Sequence, residues 1–125
     1  MTRLVRNLAV VLACALVACS PCIETVSAEI DSPDRASTAT WWVVNCGATT
    51  DYMTQVSVHP KSVSYRKVDN AVLGTYGNPK LSISWVDSKT LSIKCSDCDP
   101  KKIQGQFTKM GDITIMFDFG PASGK

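Results

Sequence analysis

Beyond residue 32, apolar and polar residues alternate with a period of two along most of the chain, and that period predicts strands. Residues 38–44, Thr-Ala-Thr-Trp-Trp-Val-Val, are rich in β-branched and aromatic side chains and read as a strand. After a polar turn, Val56 and Val58 alternate with Gln55, Ser57 and His59 to give a second, half-buried strand. Pro60 interrupts it, and Val63 and Tyr65, alternating with Ser62 and Ser64, extend the same pattern past a bend. The stretch 69–79 carries Gly74, Gly77, Asn78 and Pro79 and reads as a loop holding one short strand at 71–73. Leu81, Ile83 and Trp85, the turn Asp87-Ser88-Lys89, then Leu91, Ile93 and Cys95 form the clearest hairpin. A polar loop over 95–102, a short strand over 103–108 and a final strand through Ile113, Ile115, Phe117 and Phe119 complete the series. The tetrapeptide Ser32-Pro33-Asp34-Arg35 is a type I turn signal, with proline setting φ at its second position. The expected fold is all-β: one small antiparallel domain over 33–120, built as a sandwich or a partly open barrel or meander, with 121–125 as a C-terminal tail.

The N-terminus follows a different pattern. Arg3 and Arg6 precede an almost wholly apolar run over 8–18, long enough for an export signal and too short to span a bilayer. The run ends in Leu16-Val17-Ala18-Cys19, which looks like a lipobox whose cysteine thiol takes a diacylglyceryl group. Val11-Leu12-Ala13-Cys14 is a competitor with a shorter apolar core, and an ordinary cleaved signal is the plainer alternative. On the lipobox reading, 1–18 is the signal peptide and Cys19 is the acylated start, carrying palmitate-type chains. Residues 19–32, with Pro21 and scattered Glu, Ser and Thr, then form a lipid-anchored tether. Ser20 after the cysteine points to the outer membrane, with the domain facing the periplasm.

Charge narrows the partners. Two of the 13 basic residues leave with the signal, so 11 face 11 acidic ones in the mature chain. A near-neutral body lacks the basic footprint a nucleic-acid partner needs. The expected partners are the membrane, through the acyl anchor, and an unidentified protein, the chain itself being a monomer.

Past Cys19, four cysteines remain: Cys22, Cys46, Cys95 and Cys98. An oxidising compartment favours disulfides, and four cysteines allow three full pairings. A bridge from Cys46 to Cys95 or Cys98 is the expectation, closing a long loop worth on the order of 4 kcal/mol in the chain-entropy model. The competing reading makes Cys95-Ser96-Asp97-Cys98 a redox pair or part of a metal site. Asp97 and Asp99 disfavour a reactive thiolate there, although Lys94, Lys101 and Lys102 partly offset them. A metal site would have to draw on His59, Cys46 or Asp99, because no second spaced pair exists. No cofactor, metal site or catalytic residue is expected: there is no nucleophile elbow, no phosphate loop and no carboxylate pair suited to dividing acid and base roles. His59, before Pro60, reads as a solvated strand-end residue. Trp41 and Trp42 point to opposite faces of their strand, one into the core and the other under a loop or out to a partner.

The turn at Cys46, Gly47, Thr49, Thr50 and Asp51 is the candidate binding turn, offering exposed amides and hydroxyls. Its plainer role is structural, glycine supplying a tight backbone and the threonines satisfying polar groups between strands. Asn45-Cys46-Gly47-Ala48-Thr49-Thr50-Asp51-Tyr52 followed by Thr54-Gln55-Val56-Ser57-Val58 resembles the central motif of a family of small, uncharacterised bacterial exported proteins. The upstream Ser-Pro-Asp turn and the pattern Ser84-Trp85-x-Asp87-x3-Leu91-x-Ile93 fit the same resemblance, which covers most of 32–95. It implies an exported domain with these boundaries and no particular activity. Cys95 and Cys98 lie outside the motif.

Overall fold

The computed structural model describes residues 22–47, 50–67 and 71–120, and within them the chain folds as two β-sheets packed face to face. The strands are β1 (Ile23–Asp31), β2 (Ser37–Asn45), β3 (Met53–Pro60), β4 (Leu73–Tyr76), β5 (Leu81–Asp87), β6 (Thr90–Cys95), β7 (Ile103–Gln106), β8 (Lys109–Met110) and β9 (Ile113–Asp118). One sheet has five strands in the order β1-β2-β3-β4-β7, and the other four in the order β5-β6-β9-β8. The all-β expectation holds, and of its two architectures the sandwich is the one formed.

The alternation read from the sequence places the core. Ala39 of β2, Val56 and Val58 of β3 and Leu73 of β4 face Leu91 and Ile93 of β6 and Ile113 and Ile115 of β9, all buried. Trp41, Leu81, Ile83, Trp85, Ile103 and Phe117 close the margins of this layer. Trp85 also ties the sheets together at one edge, its indole Nε1 donating to the Ile30 carbonyl of β1 at 2.9 Å. The Ser32-Pro33-Asp34-Arg35 turn forms as read, with the Arg35 amide donating to the Ser32 carbonyl at 2.8 Å. Asp34 Oδ1 accepts from the Ser32 hydroxyl and the Ala36 amide, fixing the bend from inside.

Several expectations are corrected. The segment read as a tether over 19–32 contains β1, a nine-residue edge strand paired antiparallel with β2 from Ile23–Asn45 to Asp31–Thr38. The folded domain therefore includes 23–31, ahead of the start expected at residue 33. A bulge between Val26 and Ala28 shifts the register and breaks the period of two, which is why the segment does not read as a strand. The sheets are not uniformly antiparallel, because β6 and β9 pair in parallel, Leu91 beside Ile115 and Ile93 beside Phe117. The chain between them passes through β7 in the opposite sheet, the long connection a parallel pair needs. The short strand placed at 71–73 lies at Leu73–Tyr76 instead. Residues 61–67 do not continue β3; they form a turn and a single 3-10 turn at Tyr65–Lys67. The signal segment 1–18, Cys19 and the tail 121–125 lie outside the described residues. Among the described residues, no helix is long and apolar enough to cross a membrane.

Candidate functional site

The cysteines pair as Cys22–Cys46 and Cys95–Cys98, 24 and 3 residues apart in sequence. The expected bridge from Cys46 to Cys95 or Cys98 is thus replaced by a bridge to Cys22. The reason is local: β1 runs beside β2, and its first residue, Ile23, stands opposite Asn45. The flanking cysteines consequently meet at the open end of the β1–β2 hairpin, with Cα atoms 4.2 Å apart. Cys95 ends β6, and the loop after it folds back to bring Cys98 into contact, both residues only 2% exposed. Just beyond, Asp99 caps the 3-10 turn at Pro100–Lys102 by accepting from the Lys101 amide at 2.9 Å.

The candidate binding turn is a surface bend at that same end. Gly47 takes φ of 123°, a region disfavoured for residues with a Cβ, and its amide donates to Asn45 Oδ1 at 3.1 Å. The Thr50 hydroxyl donates to the Gly47 carbonyl at 3.2 Å, and Asp51 accepts from the Tyr52 amide. The side-chain groups of Thr50 and Asp51 are engaged within the turn itself, and Asp51 also faces Lys102 at 3.8 Å. Thr49 lies outside the described residues. The turn brings Cys46, Gly47, Thr50 and Asp51 together, but Thr50 is exposed and satisfies no buried group between strands.

A different place carries more buried polar chemistry: the outer face of the five-stranded sheet. Register pairs Asp31, Thr38 and His59 across β1, β2 and β3, and next to them Glu29, Thr40 and Ser57. By alternation alone this face reads as solvent-facing. Instead the connection over 61–67 crosses it as a strap. Tyr65 lies on Trp42 with ring centroids 4.6 Å apart, and its hydroxyl reaches Glu24 of the edge strand at 3.0 Å. Arg66 Nε donates to the same carboxylate at 3.3 Å. Trp42 is thereby buried under a loop, while Trp41, half-buried, packs on the core.

Under this strap His59 is 6% exposed, which corrects its reading as a solvated residue. Its Nδ1 faces the Pro60 carbonyl at 3.0 Å, and a carbonyl only accepts, so Nδ1 carries the proton. Nε2 meets the Thr40 hydroxyl at 2.7 Å. Ser57 Oγ is buried without a hydrogen-bond partner. Replacing Thr40 by valine keeps the shape and leaves Nε2 unpaired. The expected result is a loss of about 1–3 kcal/mol in denaturant unfolding, with most of it recovered when His59 is replaced by leucine in the same chain. An unchanged unfolding midpoint for the single variant would show that the bond contributes nothing.

At the rim, Lys61 pairs with Asp31, which also accepts from the Thr38 hydroxyl at 2.9 Å. The lysine, helped by that hydroxyl, holds the Asp31 carboxyl below the usual carboxylate range. Between strap and sheet runs an open groove of ≈ 540 Å³, lined by Glu29, Asp31, Thr38, His59, Lys61 and Ser62 to Tyr65. The groove mixes the carboxylates of Glu29 and Asp31, the Lys61 ammonium, hydroxyls and an aromatic edge, a lining suited to holding a polar ligand. Sequence reasoning missed it because the strap's role depends on where the loop lands. Among the described residues, no cluster of three or more His, Cys, Asp or Glu side chains is placed to hold a metal ion. Compared with known proteins, the chain matches no family model, no curated protein and no solved structure.

Proposed function

We propose that this protein is an exported lipoprotein of the bacterial envelope, a non-catalytic binding module held at the membrane by acyl chains on Cys19. The observation that supports this reading is the pairing of Cys22, Cys46, Cys95 and Cys98 in two bridges, the kind that form and persist in an oxidising compartment. It is joined by the sequence Leu16-Val17-Ala18-Cys19, placed immediately before the folded domain. The strapped groove beside His59 supplies the place for a polar partner. The test is intact mass with disulfide mapping of the protein from the membrane fraction. A chain starting at an acylated Cys19, with Cys22–Cys46 and Cys95–Cys98 peptides linked, is the expected outcome. An unmodified N-terminus on a soluble chain would overturn the anchor.

A second reading, thiol–disulfide exchange at Cys95 and Cys98, is favoured by the pairing of these two residues with each other. Their burial opposes it, since exchange requires an attacking thiolate to reach a sulfur. The same mass experiment after mild reductant separates the two. An intact Cys95–Cys98 bridge supports the structural role, and selective opening there with the fold retained supports exchange.

A further inference from the structure

The N-terminal end of the sandwich carries exposed apolar side chains on both faces of the five-stranded sheet. Ile23 opens β1 opposite Asn45, Val44 pairs with Met53, and Met53 pairs with Tyr76. Tyr52 is fastened to the end of β4 by a 2.7 Å bond from the Gly77 amide to its carbonyl. Ile23, Tyr52 and Tyr76 thus share one end of the five-stranded sheet, and they are 66%, 44% and 43% exposed. The loop carrying Asp97, Asp99 and Lys102 borders this end, and Lys102 faces Asp51. Lys102 offsets part of the charge of Asp51, Asp97 and Asp99 there, so apolar and aromatic groups share the end with a modest acidic excess.

We infer that this end of the sandwich rests on the phospholipid surface, with Ile23, Tyr52 and Tyr76 at headgroup depth. The inference rests on the proposed acylation of Cys19 and extends it to the folded domain. Three residue steps separate Cys19 from Cys22, and a fully extended chain covers at most about 11 Å over that distance. Cys22 is bridged to Cys46, so the link cannot lengthen by peeling β1 away from β2. The opposite end of the domain, where Asp34 meets Ser88, lies a full strand length further out. Tyrosine is a residue of choice at such a boundary, its ring apolar and its hydroxyl hydrated. Because the charges named at this end are mainly acidic, the contact depends on proximity and apolar area and not on attraction to anionic lipid.

The test uses the full-length acylated protein in vesicles of phosphatidylethanolamine and phosphatidylglycerol, footprinted by hydroxyl radicals and read by mass spectrometry. The comparison chain carries a Gly/Ser insertion of about 20 residues between Pro21 and Cys22, whose root-mean-square span of about 25 Å frees the domain. The native spacing is expected to lower labelling of Ile23, Tyr52 and Tyr76 several-fold relative to the insertion chain. Val86 and Met116, exposed elsewhere at 61% and 54%, are expected to label equally in both. Equal labelling of the three residues in the two chains, with Cys19 acylated in both, overturns the seat and leaves the anchor standing. Protection that persists in the insertion chain overturns the link-held contact. An unacylated Cys19 in the recovered protein removes the anchor and the seat with it.

Discussion

Replacing Leu73 by alanine is expected to cost about 2–5 kcal/mol of folding stability. Leu73 is fully buried in β4, which lies between β3 and β7, so it stands opposite Val56 on one side and Gln106 on the other. It faces the opposite sheet as part of the single core that both sheets share. A strand of four residues held on both sides has little freedom to collapse into the vacated volume, which places the cost toward the upper part of the range. For a domain of this size, total stability is about 5–15 kcal/mol, so the variant should approach the unfolding threshold. Urea unfolding measures it, with Val86→Ala as the control at an exposed site, where the change should stay within about 0.5 kcal/mol. A Leu73→Ala change no larger than the control would mean that β4 is not part of the cooperative core.

Removing the Cys22–Cys46 bridge with paired serine substitutions is expected to cost about 3.5 kcal/mol in the chain-entropy model, for a loop of 24 residues. The Cys95–Cys98 bridge spans only 3 residues, and the same relation gives about 1.6 kcal/mol. The contrast between the two pairs is therefore the diagnostic quantity. Without the first bridge, the open end of the β1–β2 hairpin is free to fray, since β1 is an edge strand with one partner. Hydrogen exchange should accelerate first at the amides of β1 nearest Ile23, and the unfolding midpoint should fall more than for the Cys95/Cys98 double-serine variant. Equal losses from the two pairs would show that loop length does not govern their contribution.

The core was legible in the sequence because it obeys a period of two. Val56 and Val58, Leu91 and Ile93, and Ile113 and Ile115 stand where alternation places them, and the 81–95 hairpin forms at its expected turn. Four features were hidden, each for a physical reason. In β1 the bulge at Val26/Ala28 moves the inward positions from Ile23 and Thr25 to Ala28 and Ile30, which erases the alternation. Glu24, Glu29 and Asp31 add the charge that edge strands carry, so the segment resembles a solvated linker. The Cys22–Cys46 bridge was hidden with it, since a cysteine assigned to a linker has no defined neighbour. The burial of His59 escaped notice because the outer face of its sheet is polar, and polarity normally marks solvent. The crossing of 61–65, anchored by Tyr65 on Trp42, covers part of that face. The parallel pairing of β6 with β9 leaves no local trace, because side-chain alternation is the same for either strand direction.

The bridge at the start of β1 also decides how the domain responds to mechanical load. A chain tethered by its N-terminus and pulled from elsewhere would ordinarily unzip its first strand, breaking ladder bonds one at a time at low force. Here tension arriving at Cys22 is divided covalently with Cys46 and enters β2, an interior strand of its sheet with neighbours on both sides. Detaching β2 requires shearing two ladders at once, so rupture is moved from the weakest edge of the fold to its interior.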